Sequence, residues 1–111
     1  DRALAEEAAR DLGNGSFACA VDVGDWASVE AARDTTLEHA GRIDIAINSA
    51  GIAGSNAPLD SYPVDEFALI QRVNVLGTFH VNRAVVPAMR ALATSSSSRT
   101  SRKRAPPSTR S

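Results

Sequence analysis

Hydrophobic residues recur at two different spacings along the first part of the chain. In three stretches they repeat every three or four positions, which is typical of amphipathic helices, and these stretches cover residues 2–12, about 26–40 and about 63–92. A short apolar run lies at residues 17–21 and is typical of a strand buried on both faces. Residues 43–47, which are apolar except for Asp44, form the second predicted strand. The predicted order is helix, strand, helix, strand and long helix.

Residues with special backbone preferences stand at the ends of the predicted helices. Gly13 and Gly41 follow the first two helices, and glycine is the usual residue where a helix ends. Asp25 is a good N-cap for the second helix, and Pro63 suits the first turn of the third. Pro87 is expected to kink that long helix or to start its last turn. Helices that alternate with strands predict an α/β protein with a parallel sheet and right-handed crossovers.

The last 18 residues differ in composition from the rest of the chain. Residues 94–111 hold five basic residues, no acidic residue and no Leu, Ile, Val or Phe, whereas residues 1–93 carry a net charge of −6. A segment without large apolar side chains cannot offset the entropy lost on folding. We therefore expect a folded domain at residues 1–93 and a disordered basic tail at residues 94–111.

Composition also excludes several classes of protein. No apolar run approaches the roughly 18 residues of a membrane span, and a single cysteine, Cys19, cannot form an internal disulfide. His39 and His80 have no second histidine or cysteine at metal-ligand spacing. These features predict a cytoplasmic protein that has no metal site and no membrane partner.

The segment Gly13-Asn14-Gly15-Ser16-Phe17-Ala18 matches the spacing of a dinucleotide-binding glycine loop. Such a loop needs a strand before the glycines and a helix after them, so that the pyrophosphate meets the helix N-terminus. Here a helix precedes the glycines and a strand follows them. We therefore interpret the segment as a turn that ends a helix.

Short polar or small residues follow each predicted strand. Asp22 and Val23 leave the first strand, and Asn48, Ala50 and Gly51 leave the second. Ligands of open α/β sheets bind at this carboxyl edge, and small residues let the backbone approach a ligand closely. The segment from Asn48 to Gly51 is therefore a candidate for a binding site, whereas Asp22, like Asp25, could simply be a strand-end or capping residue.

Three motifs together are similar to the short-chain dehydrogenase/reductase family, and they span about residues 1–92. They are Asp22-Val23, Asn48-x-Ala50-Gly51 and Val73-Asn74-Val75-x-Gly77-Thr78-Phe79. The resemblance implies a Rossmann-type, doubly wound parallel sheet in three α/β/α layers. It also implies hydride transfer between NAD or NADP and an alcohol or ketone substrate, in proteins that are usually homo-oligomers. It does not distinguish NAD from NADP or identify the substrate.

The resemblance also implies roles for individual residues. Asp22 and Val23 match the positions that meet the adenine ring. Asn48, Ala50 and Gly51 match the segment that lines the cofactor and steadies the central sheet, and Ser49 departs there from the family's second asparagine.

Asn74 matches the family's active-site asparagine. By resemblance, that residue opens the helix locally and helps to hold a water in a proton relay. Taken alone, Asn74 could equally be a polar residue tolerated on a long helix.

Other parts of the family pattern are missing from the sequence. The family passes a proton through a tyrosine that is followed four residues later by a lysine, yet Tyr62 is followed by Glu66, and Lys103 is the only lysine. The family's glycine-rich phosphate loop is absent as well. We therefore expect this chain to be catalytically incompetent by itself.

The basic tail permits an alternative, non-enzymatic reading. The run Arg102-Lys103-Arg104 could bind nucleic acid or an import receptor, but most short basic runs are merely solvated, so we do not expect nucleic acid to be a partner. The tail falls where the family's next strand would come. Its composition would fit a change of reading frame, which the coding nucleotides would reveal.

The two predicted strands are not neighbours in the family's sheet. In the order 3-2-1-4-5-6 they are the third and fourth strands, about 14 Å apart at ~4.8 Å per strand. Each would keep an unpaired edge. Either the two strands collapse together as a minimal parallel pair, or the chain stays molten and prone to aggregation. We expect poor autonomous folding, which a well-dispersed amide NMR spectrum with a cooperative melt would contradict.

Overall fold

The structure is a computed structural model that describes the backbone of residues 1–102 and the side chains up to residue 95. Helices dominate this part of the chain. The elements are α1 (Arg2–Leu12), α2 (Trp26–Ala40), a 3₁₀ turn (Leu59–Ser61), α3 (Val64–Gln71), a π-helical turn (Arg72–Leu76) and α4 (Gly77–Arg102).

Helix α2 begins and ends as its sequence predicts. The Asp25 carboxylate accepts a hydrogen bond of 3.3 Å from the backbone N–H of Ala27, which satisfies one of the free donors of the first turn. Gly41 is left-handed, with φ of 78°, and its N–H donates to the carbonyl of Leu37 at 2.8 Å. Both predicted boundary residues are confirmed.

The Gly13–Gly15 segment is a turn that closes α1. Gly13, Asn14 and Gly15 all have positive φ, at 60°, 54° and 79°, a conformation that glycine and asparagine adopt most easily. The N–H of Ser16 donates to the carbonyl of Gly13 at 3.0 Å. The interpretation of this segment as a helix-ending turn, rather than a phosphate loop, is confirmed.

The two predicted strands do not form in the part of the chain that the structure describes. Residues 17–21 and 43–47 have no regular secondary structure, and no backbone hydrogen bond joins them to each other. A strand is stable only beside a neighbour that accepts and donates its ladder hydrogen bonds. The doubly wound order places two more strands between these segments, and the part of the chain that the structure describes contains no strand at those places.

The small core lies where α2 packs against α4. Val29 of α2 and Ala84 of α4 are 4% and 1% exposed and are the buried apolar residues of the described region. Ile45 and Ile47, which a sheet would cover, are 81% and 87% exposed. They border an open groove of about 260 Å³, whose other walls come from α2 and α4 and include Ala32, Thr36, Val81 and Val85.

The long third helix differs from its prediction in two ways. The π-helical turn divides it, so that α3 ends at Gln71 and α4 starts at Gly77. Helix α4 then passes through Pro87 and reaches Arg102. No helix in the described region combines the length and the apolar character that are needed to cross a membrane.

Residues 94–102 are helical, although we expected disorder from residue 94 onward. The physical reason is that helix propagation costs little once a nucleus exists, and the next proline after Pro87 is Pro106. Residues 103–111, with Lys103 and Arg104 of the basic run, lie outside the described residues. The nucleic-acid or import-receptor alternative, which depends on that run, therefore stays a hypothesis.

The unpaired segments give the first testable prediction. Amide protons of residues 18–21 and 43–47 should exchange within about tenfold of the rate of an unstructured peptide, because no acceptor protects them. Amides of α2 from Val29 to Leu37 should exchange more slowly and serve as the internal control. Hydrogen exchange followed by NMR measures both. Slow exchange at residues 43–47 would contradict the structure and show that this segment pairs with a strand in solution.

Candidate functional site

One helical rod, made of α3, the π-helical turn and α4, holds the two loops that carry the predicted site residues. We call these the 22–25 loop and the 48–55 loop. Each is fastened by side chains that reach its backbone from the rod or by hydrogen bonds within the loop itself. The site is therefore organised by the helix rather than by a sheet.

Asn74 makes a two-point contact with the 48–55 loop. Its Oδ1 accepts from the backbone N–H of Ile52 at 2.8 Å, and its Nδ2 donates to the carbonyl of Ile52 at 2.9 Å. Asn74 lies in the middle of the π-helical turn, where the wider helical turn replaces the regular i→i−4 pattern. The helix is therefore irregular at Asn74, while the role that the family resemblance implies for this residue stays a prediction.

Two further contacts hold the ends of the 48–55 loop. Nδ2 of Asn48 donates to Oδ1 of Asn82 at 3.0 Å. At the other end, the backbone N–H and the hydroxyl of Ser55 both donate to Oε1 of Glu66 at 2.7 Å. Glu66, in the first turn of α3, also favours the positive end of the helix dipole.

Ala50 and Gly51 lie on the exposed side of the 48–55 loop. A β-carbon at Gly51 would come 3.5 Å from Oδ1 of Asn74, an ordinary van der Waals contact. The loop therefore presents backbone to solvent between two anchored ends.

Asp22 shapes the 22–25 loop from within. Its Oδ1 accepts from the N–H of Gly24 at 3.0 Å, and its carbonyl accepts from the N–H of Asp25 at 3.0 Å. Its own N–H donates to the hydroxyl of Ser28 at 2.8 Å. Oδ2 of Asp22 accepts no hydrogen bond from the residues the structure describes, so one carboxylate oxygen is available to a ligand.

Two residues that no sequence motif predicts contact the backbone carbonyls of the 22–25 loop. Nε of Arg72 donates to the carbonyl of Gly24 at 3.1 Å, and Nδ1 of His80 lies 2.8 Å from the carbonyl of Val23. His80 is only 9% exposed. It is therefore a buried residue that anchors the loop. No local motif marks Arg72 or His80, because their partners are 48 and 57 residues away.

The remaining titratable candidates have local structural roles. Arg42 and Asp44 form an exposed ion pair of 2.6 Å. The hydrogen bond from Arg42 lowers the pKa of Asp44 and raises that of Arg42. Tyr62 packs edge-on against Phe67, with ring centroids 6.4 Å apart. Among the residues with described side chains, no group of three or more His, Cys, Asp or Glu could hold a metal ion.

Comparison with known proteins identifies the family to which this chain belongs. A model of the family described as enoyl-(acyl carrier protein) reductase matches residues 1–102. The chain accordingly belongs to the short-chain dehydrogenase/reductase family. The α/β fold class is supported in this way, while the order of the sheet is not.

Individual relatives agree with this assignment. The chain is 44% identical over 70 residues to a 2-dehydro-3-deoxy-L-rhamnonate dehydrogenase (NAD(+)) of Sphingomonas sp. (strain SKA58), which covers 63% of this chain and 28% of the relative. The fold of this chain resembles that of a 3-ketoacyl-(acyl-carrier-protein) reductase of Brucella melitensis complexed with NADH. That match has a TM-score of 0.82 and 31% identity, over 86% of this chain and 40% of the reductase.

A gluconate 5-dehydrogenase of Burkholderia cenocepacia, in complex with NADP and tartrate, gives a TM-score of 0.72 at 38% identity. That match covers 83% of this chain and 38% of the dehydrogenase. The chain thus spans less than half the length of the relatives and structures it matches.

The two-point contact of Asn74 leads to a prediction about the 48–55 loop. Asn74→Ala removes the acceptor of the Ile52 N–H, so exchange of that amide should accelerate roughly tenfold, as expected for the loss of one ordinary hydrogen bond. The Gly24 amide, whose acceptor is Asp22, should be unchanged and is the control. Unaltered exchange at Ile52 would show that Asn74 does not hold this loop in solution.

Proposed function

We propose that this chain carries part of the NAD(P) site of an enzyme that transfers hydride between the nicotinamide and an alcohol or ketone. The assigned residues are Asp22 and Val23 on the adenine side, Asn48, Ala50 and Gly51 along the cofactor, and Asn74 beside the reacting centre. The observation that carries the proposal is that one helical rod anchors both loops, through Arg72 and His80 at one loop and Asn74 and Asn82 at the other. The NAD(P)-bound relatives support it.

The adenine side has the hydrogen-bonding pattern that the base needs. The free Oδ2 of Asp22 is an acceptor for the amino group of adenine, and the N–H of Val23 is a donor for the neighbouring ring nitrogen. Neither atom has a hydrogen-bond partner among the described residues. An acceptor and a donor side by side read the Watson–Crick edge of adenine and reject a base with the reverse pattern.

The 48–55 loop offers the cofactor a wall of backbone and small side chains. Ala50 and Gly51 present little bulk, so a ligand can approach the main chain closely, and Asn48 and Asn74 keep the loop from moving away. When bound, NAD(P) would supply or accept the hydride. Asn74 would position a water within the proton relay, beside the carbonyl of Ile52 that its amide already holds.

The chain by itself should transfer no hydride. It contains no Tyr-x-x-x-Lys to act as proton donor and no glycine-rich phosphate loop before its first strand segment. Without these groups, neither the general acid nor the pyrophosphate is positioned. The proposal therefore assigns this chain a share in cofactor binding and leaves catalysis to the whole protein.

Adenosine and inosine separate this proposal from non-specific binding. Inosine has an oxo group in place of the amino group and a protonated ring nitrogen, which reverses the pattern that Asp22 and Val23 read. Adenosine should shift the amide resonances of residues 22–25 and bind at least about tenfold more tightly than inosine, because inosine forfeits both hydrogen bonds. Titration followed by NMR measures both affinities.

Two neighbouring variants provide the matched control. Asp22→Asn keeps an acceptor for the Gly24 N–H but places an amino group where Oδ2 lies, so it should remove the preference for adenosine. Asp25→Asn makes the same change of charge three residues away, and asparagine still caps α2, so the preference should remain. Equal affinity for both nucleosides in the unaltered chain would contradict the proposal.

A further inference from the structure

The peptide group between Val23 and Gly24 is fixed at both of its polar atoms. Its carbonyl oxygen meets Nδ1 of His80 at 2.8 Å, and its N–H donates to Oδ1 of Asp22 at 3.0 Å. A peptide group is planar, so the direction of the carbonyl determines the direction of the N–H. The orientation of the Asp22 carboxylate therefore depends on His80, which lies on another element.

The chemistry of this contact assigns the tautomer of His80. A backbone carbonyl only accepts hydrogen bonds, so Nδ1 carries the proton and donates it to Val23. The ring is nearly buried, with the Trp26 ring centroid 5.7 Å and the Phe79 ring centroid 6.3 Å from its own. The guanidinium of Arg83 in turn lies over the Trp26 ring, 4.4 Å from its centroid. Packing on several sides keeps the imidazole aimed at the loop.

The next peptide group is held in the same way by Arg72. Its Nε donates to the carbonyl of Gly24 at 3.1 Å, and the helix lies so close that the loop needs a glycine there. A β-carbon at Gly24 would come 2.9 Å from Cγ of Arg72, and one at Gly77 would come 2.6 Å from Cγ2 of Val23. Both distances are shorter than normal carbon contacts. The two glycines therefore let the helix and the loop come close enough for the hydrogen bonds of Arg72 and His80 to the loop carbonyls to form.

The π-helical turn brings the two donors to the same side of the rod. An α-helix turns by about 100° per residue, so residues eight apart are about 80° out of line. A π turn contains one extra residue, so the span from Arg72 to His80 rotates like seven α-helical positions, within about 20° of two full turns. The irregularity that places Asn74 at one loop therefore also aligns Arg72 and His80 on the other.

We propose that His80, assisted by Arg72, is a positioning residue that sets the Asp22 carboxylate for recognition of an adenine base. This inference rests on the proposed function, since it explains how the assigned adenine edge is held. His80 does not touch the base. It acts through the Val23–Gly24 peptide group, whose N–H engages one carboxylate oxygen of Asp22 and leaves the other for the ligand.

Variants of His80 test this in the full chain with adenosine as the probe. His80→Leu removes the donor and keeps an apolar side chain of similar bulk, and it should weaken adenosine binding roughly five- to tenfold, as for one lost hydrogen bond. His80→Asn keeps an N–H donor at the position of Nδ1 and should restore binding to within about threefold of the unaltered chain. Inosine affinity should not change in either variant.

Arg72→Met gives a second measurement if His80→Leu fails to fold, because Arg72 is exposed and its stem is retained. It should weaken adenosine binding about threefold to fivefold through the freed Gly24 carbonyl. Equal adenosine affinity in His80→Leu, or in Arg72→Met when the former is unfolded, would overturn the positioning role. The positioning role would also be overturned if His80→Asn bound adenosine as weakly as His80→Leu, because the bulk of the side chain rather than its N–H donor would then determine the affinity. If the unaltered chain does not prefer adenosine to inosine, the proposed function itself fails and this inference falls with it.

Discussion

The structure depends on hydrogen bonds from one helical rod to the backbone of two loops. In a complete α/β sheet, such loops start at the ends of strands that hold them at fixed positions. Here the strand segments are unpaired, and Ile45 and Ile47 are exposed. The 22–25 loop and the 48–55 loop keep their shapes because Asn74, His80, Arg72 and Asn82 satisfy their polar atoms. Each contact joins residues far apart in sequence, so together they replace part of the long-range order that a sheet would provide.

The π-helical turn gives this arrangement its geometry. A regular helix would direct Asn74 and its neighbours along a fixed 3.6-residue repeat, whereas one inserted residue changes which side chains share a face. Asn74 then faces the 48–55 loop, while Arg72 and His80 face the 22–25 loop. A single irregularity therefore serves both ends of the proposed cofactor site. This explains why the helix is irregular at a residue that the family resemblance connects with catalysis.

Local signals in the sequence predicted the helices well. Asp25, Gly13 and Gly41 act within a few residues of their own positions, so the boundaries of α1 and α2 follow from capping chemistry. The apolar runs at residues 17–21 and 43–47 were predicted as strands, but a strand also requires neighbours, and local pattern carries no information about whether they are present. The helical backbone of residues 94–102 shows the converse case, in which propagation of α4 outweighs a composition that favours disorder.

The candidate site could be predicted only in part. Asp22, Val23, Asn48, Ala50, Gly51 and Asn74 were identified from motifs, because each motif is short and contiguous. His80 and Arg72 were missed because they act through main-chain carbonyls in a distant loop. A carbonyl is present at every residue, so its presence in the sequence does not identify its hydrogen-bond partner. Only Gly24 and Gly77, which permit the close approach, leave a trace in the sequence.

The central claim is that the helical rod holds both loops although the residues the structure describes form no sheet. Nuclear Overhauser effects in the uniformly labelled chain test it most directly, because they report proximity between protons less than about 5 Å apart, the range of direct packing contacts. We expect cross-peaks from the His80 ring to Val23 and Gly24, and from the Asn74 side-chain amide to Ile52. Helical chemical shifts in α2 and α4 without either set of cross-peaks would contradict the account, since the helices would then exist without organising the loops.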